Sequence, residues 1–309
     1  MLNNPSSWWV HLANHSVRGL ALVQNSSASV LTAWIRHDTI ALFDLHTGAS
    51  QGTLTIEKQT GQTWGQFLND LAQNNPIIPP IIQHDQETLF ISADQKSHLH
   101  QSHFHQLRFF DGEFAREIFS RSADQLIQKV AFEPIEKITV LLDTNGQLHI
   151  FRRDQFVRKT PITISQELGI TPPQIALTQG GDVIYISDGQ SILRLDAQTQ
   201  EQQRLHVDFS IRQMTCSPDG RYLVVNDSDH GVIRVYTGDT LTPSYQRFAI
   251  DLVAQSKQVQ LLADLPPVFV APTTLACNNA GTVAFSMAGV ICVSHITFMD
   301  NLPRARQML

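Results

Sequence analysis

Charge is scarce in this chain: Asp, Glu, Lys and Arg together make up 16% of its 309 residues, and the net charge is −6 with His neutral. No Lys/Arg cluster stands out, so the basic footprint that phosphate recognition needs is missing and nucleic acid is not expected as a partner. Cysteine is nearly absent too, with three residues (Cys216, Cys277, Cys292) in no metal-ligand pairing. A count that low and odd excludes a disulfide framework and fits buried thiols in a reducing compartment. The opening Met1-Leu-Asn-Asn-Pro-Ser-Ser-Trp8-Trp9 has neither a basic stretch nor a long apolar one, so no export signal is visible and a cytoplasmic protein is expected. From Leu265 to Thr297 no charged residue occurs. Gly281, Ser286, Gly289, Ser294 and His295 interrupt this run, so it is expected as buried strands and not as a membrane helix. With 42% apolar residues, the chain has ample material for an ordered core.

What is present is repetition. Six times an apolar strand, a tight polar turn and a second strand follow one another. The second strands are Ile40-Ala-Leu-Phe43, Leu107-Arg-Phe-Phe110, Leu148-His-Ile-Phe151, Ile192-Leu-Arg-Leu195, Ile233-Arg-Val-Tyr236 and Ile291-Cys-Val-Ser294. Their ends are spaced by 67, 41, 44, 41 and 58 residues. A period near 42 built from short strands predicts an all-β fold: one β-propeller over residues 1–309, with four-stranded antiparallel blades. Six blades are expected; a seventh would have to come from Asp251–Pro267 or from the two termini, which show no repeat. Trp8-Trp-Val-His-Leu-Ala13 is a strand candidate ahead of the first blade and is expected to close the ring as the outer strand of the last one.

The fifth repeat is the clearest. Ser217-Pro218-Asp219-Gly220 makes a turn, Leu223-Val-Val225 a strand, Asp227-Ser-Asp-His-Gly231 a second turn, and Val232–Tyr236 the return. Asp143-Thr-Asn-Gly146 and Ser187-Asp-Gly189 supply the matching turns of repeats three and four. This phrase resembles the repeats of WD-type β-propellers. The typical opening Gly-His pair and closing Trp-Asp are absent, so no subfamily is indicated. The resemblance implies that an Asp of the second turn holds the hairpin by hydrogen bonding, which assigns Asp227 a structural role beside Asp229 and His230.

The departures from the period point to function. Glu57–Pro80 contains Trp64, Phe67, Leu68 and Leu71 at i, i+3, i+4 and i+7, so a short amphipathic helix starting near Thr63 or Gly61 and ending at Asn74-Asn75-Pro76 is expected. Its stripe either packs on the propeller wall or offers Trp64, Phe67 and Leu71 as anchors for a protein partner. Residues 94–105 read as an enlarged hairpin carrying His98, His100, His103 and His105, four of the thirteen histidines. Pairs at i, i+2 share one face of a strand, so these side chains form either a solvated hairpin, part of a partner surface, or a transition-metal or pH-sensitive site. No Cys lies among them and Asp94 is the nearest carboxylate. No other cofactor is indicated. Asp251–Pro267 is a third insertion, with Leu252, Val253, Val259 and Leu262 as a weaker helical stripe. By the WD resemblance, hairpins between second and third strands and connections between blades emerge on one face. Insertions at 57–80, 94–105 and 251–267 would therefore crowd onto one rim, as a binding face does.

Catalytic motifs are missing. There is no Gly-x-Ser-x-Gly, no phosphate loop, no dinucleotide fingerprint and no His-Glu-x-x-His. The leading expectation is a non-catalytic interaction scaffold or adaptor that binds a protein through loops on one face. The alternative is a metal-dependent hydrolase or lactonase-type propeller with its site at the channel mouth.

Overall fold

The computed structural model describes residues 8–12, 17–24, 29–35, 39–56, 62–74, 81–84, 87–92, 97–102, 106–111, 114–120, 126–162, 172–253, 272–287 and 289–295. The first strand, β1 (Trp8–His11), belongs to the last blade. Blade one is β2 (Gly19–Gln24), β3 (Ser29–Trp34), β4 (Thr39–Asp44) and β5 (Ser50–Thr55), followed by helix α1 (Trp64–Asn74). Blade two is β6 (Ile81–His84), β7 (Glu87–Ile91), β8 (Ser97–Ser102), β9 (Gln106–Asp111) and β10 (Phe114–Ser120). Blade three is β11 (Ile127–Glu133), β12 (Ile138–Asp143), β13 (Gln147–Arg152) and β14 (Gln155–Pro161). Blade four is β15 (Gln174–Leu177), β16 (Val183–Ser187), β17 (Ser191–Asp196) and β18 (Gln202–His206). Blade five is β19 (Ile211–Cys216), β20 (Tyr222–Asp227), β21 (Val232–Thr237) and β22 (Pro243–Phe248), with a short helix α2 (Ala249–Val253) after it. Blade six is β23 (Thr274–Cys277), β24 (Thr282–Met287) and β25 (Val290–His295), completed by β1.

The result is a six-bladed propeller of antiparallel sheets. First strands sit innermost, with β2 against β23, β23 against β19, β19 against β15 and β15 against β11. Middle strands are buried on both faces: every residue of β12 is buried. This explains why they read as unbroken apolar runs and not as alternating ones. Outer strands such as β14 and β18 are mostly exposed and polar.

Buried polar residues at the strand ends hold the tight turns. Asp143, fully buried, accepts from the amides of Asn145 and Gln147, both at 2.9 Å, and lies 2.9 Å from His149 Nε2. Gly146 takes the left-handed conformation (φ 69°) that this Asn-Gly turn needs. Asn278 accepts the amides of Ala280 and Thr282 in blade six. At the ends of third strands, Asp44 and Asp196 cap the next turn through Thr47 and Thr199. Hydrogen bonds from Thr47 are the main reason that the Asp44 carboxyl titrates below its usual range.

Blade two departs from the sequence reading. Within the 94–105 stretch read as an enlarged hairpin, residues 97–102 are not a loop. Ser97–Ser102 is a regular second strand, paired with β7 through Ile91↔His98 and with β9 through Leu99↔Phe109. The extra element is β6, which pairs with β7 and adds a fifth strand at the inner edge. Strand directions then place the 92–97 turn at the end of the ring opposite the blade-to-blade connections. Two contacts to blade three agree: Lys137 Nζ donates to Ser97 Oγ at 2.9 Å, and Arg116 pairs with Asp154 at 3.0 Å. The long blade-to-blade connections are 56–80, 162–173 and 249–273, the second of which the sequence does not single out; residues 57–61, 75–80, 163–171 and 254–271 of them lie outside the described residues.

Helix α1 forms where its stripe predicted. Thr63 and Gln66 make a reciprocal capping pair: Gln66 N donates to Thr63 Oγ1 at 3.2 Å, and Thr63 N to Gln66 Oε1 at 3.0 Å. Phe67, Leu68 and Leu71 face inward, in one apolar cluster with Trp34, Ile56 and Leu89. The helix wedges between blades one and two.

Ring closure rests on β1. Trp8, Trp9, Val10 and His11 pair with Val293, Cys292, Ile291 and Val290 of β25, as expected. Trp8 also reaches the neighbouring blade: its Nε1 donates to Leu45 O at 2.7 Å and its ring lies 6.3 Å from Phe43. Gly48 (φ 72°) leaves the space this indole fills, since a Cβ there would come within 2.6 Å of it. Trp8→Ala should cost about 3–5 kcal/mol through lost packing, plus the orphaned carbonyl. Urea unfolding should show a lower midpoint, and proteolysis should first release peptides from blades one and six.

Candidate interaction surfaces

The residues nominated from the sequence fall in three places. Phe67 and Leu71 are buried in the core cluster, which removes them from any partner surface; the wall-packing role of the α1 stripe is the one the structure shows. Trp64 begins α1. His98 and His100 do share one face of β8, as their spacing implied, but that face is packed: the His98 ring stacks on Phe110 at 4.4 Å, and His100 lies 6.3 Å from the same ring. Leu99 between them is fully buried on the other face. His103 and His105 lie outside the described residues. No three His, Cys, Asp or Glu side chains gather into a metal-binding group among the described residues.

Burial, and secondarily the charge of His100, pulls the His98 imidazole down from 6.5 to about 4. Its Nε2 has no hydrogen-bond partner among the described residues. The three cysteines are free and buried, and burial raises each thiol, those of Cys277 and Cys292 to about 12. They behave as small apolar side chains and not as nucleophiles.

Two clefts open at opposite ends of the neighbouring blades. On the connection face, a cleft of about 540 Å³ in blade five is lined by Asp208, His230, Arg234, Gln246, Phe248 and Asp251, among others. Its floor is fixed from below. Fully buried Asp227 takes Arg234 Nη2 at 2.8 Å and the amides of Asp229 and His230, while Arg234 lies 4.3 Å over the Phe209 ring. Asp229 accepts the Ser210 amide at 2.8 Å. The hairpin-holding role expected of Asp227 is thus what the geometry shows. Above this floor Phe248, the last residue of β22, is 52% exposed at the root of the 249–273 connection. The sequence reading passed over Phe248 because a lone aromatic at a strand end carries no spacing signal.

On the opposite face, a cleft of about 760 Å³ between blades four and five is lined by Asp182, Tyr185, Arg194, Asp219, Gly238 and neighbours. Its polar groups are already engaged in holding blades together. Tyr185 Oη donates to Gly238 O at 2.8 Å, and Arg194 Nε donates to the same carbonyl at 3.1 Å. Burial foremost raises the Tyr185 phenol to about 12, keeping it a donor.

These blades, turns and closure define a six-bladed β-propeller. Among solved structures, the chain is similar to the β-propeller domain of Cps50 (Swd1) from Myceliophteria thermophila, with a TM-score of 0.61 over 93% of this chain and 99% of that one. Sequence identity is 10%, so the likeness is one of fold. No protein-family model matches the sequence, and no curated protein does.

His98 gives the site a pH signature. Its folded-state pKa lies below the unfolded value, so the unfolded chain binds more protons between about 6.5 and about 4, and stability falls as pH drops through that window. The loss is about 3 kcal/mol at most. His98→Phe should remove most of this slope. Urea unfolding midpoints of wild type and variant between pH 7 and 4.5 measure it; parallel slopes would refute the buried-neutral state of His98.

Proposed function

We propose that this chain is a non-catalytic protein-interaction scaffold or adaptor, and that it holds a protein partner on the loops of its connection face. The observation that carries this reading is Phe248: a large aromatic more than half exposed, standing over a cleft whose floor Asp227 and Arg234 make rigid. An aromatic held out over a fixed polar floor is the composition of an interface hot spot, because it buries a large area at small entropic cost. It also ends β22, directly before helix α2.

The floor residues serve the hairpin first, which is why their ionic groups are fixed in advance of binding. Preset polar partners reduce the ordering cost of association. The setting we propose is cytoplasmic, supported by three free buried thiols. No helix among the described residues is long and apolar enough to cross a membrane.

The test is affinity capture with the full chain and a Phe248→Asp variant, with captured proteins identified by mass spectrometry. A protein recovered stoichiometrically with wild type should fall at least tenfold with the variant. Unfolding midpoints should stay within about 0.5 kcal/mol of each other, since the site is exposed. Equal recovery with both chains would refute the connection-face reading.

A further inference from the structure

Large apolar side chains are well buried in this protein, with four exceptions among the described residues: Ile135, Phe156, Val157 and Phe248. Three of the four belong to blade three. Ile135 (50% exposed) is in the turn between β11 and β12, and Phe156 and Val157 (58% and 56%) open the outer strand β14. Ile135 shares a cleft of about 550 Å³ with Arg152, Arg153, Asp154 and Gln155 of the adjoining turn. A local irregularity lies at the exposed pair. The register of β14 shifts so that Phe156 faces Phe151 and Arg158 faces Ile150, leaving Val157 unopposed. The bulge interrupts the alternation of an outer strand that is mostly exposed along its length.

The same segment carries a local excess of cations that the whole-chain value of −6 conceals and that the search for a Lys/Arg cluster in the sequence passes over. Residues 152–159 hold Arg152, Arg153, Arg158 and Lys159 against the single carboxylate of Asp154. Asp154 is engaged by Arg116 of blade two at 3.0 Å. Arg158 is turned aside to donate to the Ala197 carbonyl. Arg152, Arg153 and Lys159 are exposed. The cleft's other carboxylates are Asp111, which accepts from Ser97 Oγ at 2.8 Å, and Glu136. Beyond the apolar pair, β14 is the last strand of its sheet, so one row of its backbone groups faces outward.

We infer that the outer edge of blade three is a docking surface for an acidic, extended segment of a partner protein. The segment lies along β14, with apolar side chains against Phe156 and Val157 and carboxylates against Arg153 and Lys159. Extended chains present side chains alternately, and strand addition to an open edge uses main-chain hydrogen bonds for affinity and side chains for selection. Cations and bulges also discourage edge strands from pairing with copies of themselves. Protection alone accounts for Lys159 and the bulge. It does not account for two neighbouring apolar side chains exposed on the same edge, which protection would avoid. The surface lies on a different blade from Phe248 and does not depend on the connection-face reading.

The test uses the full chain and a fluorescein-labelled ten-residue peptide of alternating Glu and Val, followed by fluorescence anisotropy. A Lys/Val peptide of the same length is the control. Saturable binding of the acidic peptide is expected, weakening as salt rises and absent for the Lys/Val peptide. Phe156→Ser and the pair Arg153→Glu/Lys159→Glu should each weaken it at least tenfold with unchanged thermal unfolding. Phe248→Asp should leave it unaltered, which separates this surface from the other. No saturation, equal binding of both peptides, variants that bind as wild type does, or displacement by single-stranded oligouridine would each overturn the proposal.

Discussion

A ring of sheets is stable only if its two ends meet, and here they meet through one short strand. β1 comes from the start of the chain and completes a sheet whose other three strands come from near the end of it. The pairing of Trp8–His11 with β25 removes the open edge of blade six. The Trp8 indole then crosses to blade one, where Leu45 O accepts its hydrogen and Gly48 leaves it room. Inner strands around the axis pack on their neighbours, β2 on β23 and β23 on β19, so the seam joins blade six to blade one along the axis as well as at the outer edge.

Within each blade a division of labour follows from burial. The middle strands are apolar on both faces and supply the driving force. Their turns would leave buried amides without partners, and Asp143, Asp227 and Asn278 accept those amides from within. Because the turns are held internally, the longer connections and outer strands are free to differ from blade to blade. Phe248 and the Phe156–Val157 pair lie on those less constrained parts.

How far the sequence discloses this depends on where burial comes from. The third strands were legible because each is an apolar run, after a Gly- or Asp-containing turn in every blade but the second, and Trp8–His11 was legible because a ring needs a closing strand. The α1 stripe was legible as a helix, but amphipathicity alone does not say what covers the stripe; Leu89, Ile91 and Ile56 do. Ser97–Ser102 misled because it has one aliphatic residue in six, and its burial comes from Phe110 in the next strand. Taking it for a loop hid β6 and left His98 and His100 as loop residues, where they are in fact residues of a regular strand. Phe156 and Val157 follow the ordinary pattern of an outer strand in composition. Their exposure, and the register shift opposite Ile150 and Phe151, show only in the structure.

The seam also sets an order of events during synthesis. Trp9 pairs with Cys292, so β1 leaves the ribosome long before the strand it needs exists. At ~5–20 residues per second the wait is roughly 15–60 s, far longer than a hairpin takes to form. Blades one to five can each assemble locally in that time, while the two tryptophans of the first strand stay without their final cover. In a growing chain Trp8 and Trp9 therefore wait for the last blade, and the ring locks only after β25 arrives.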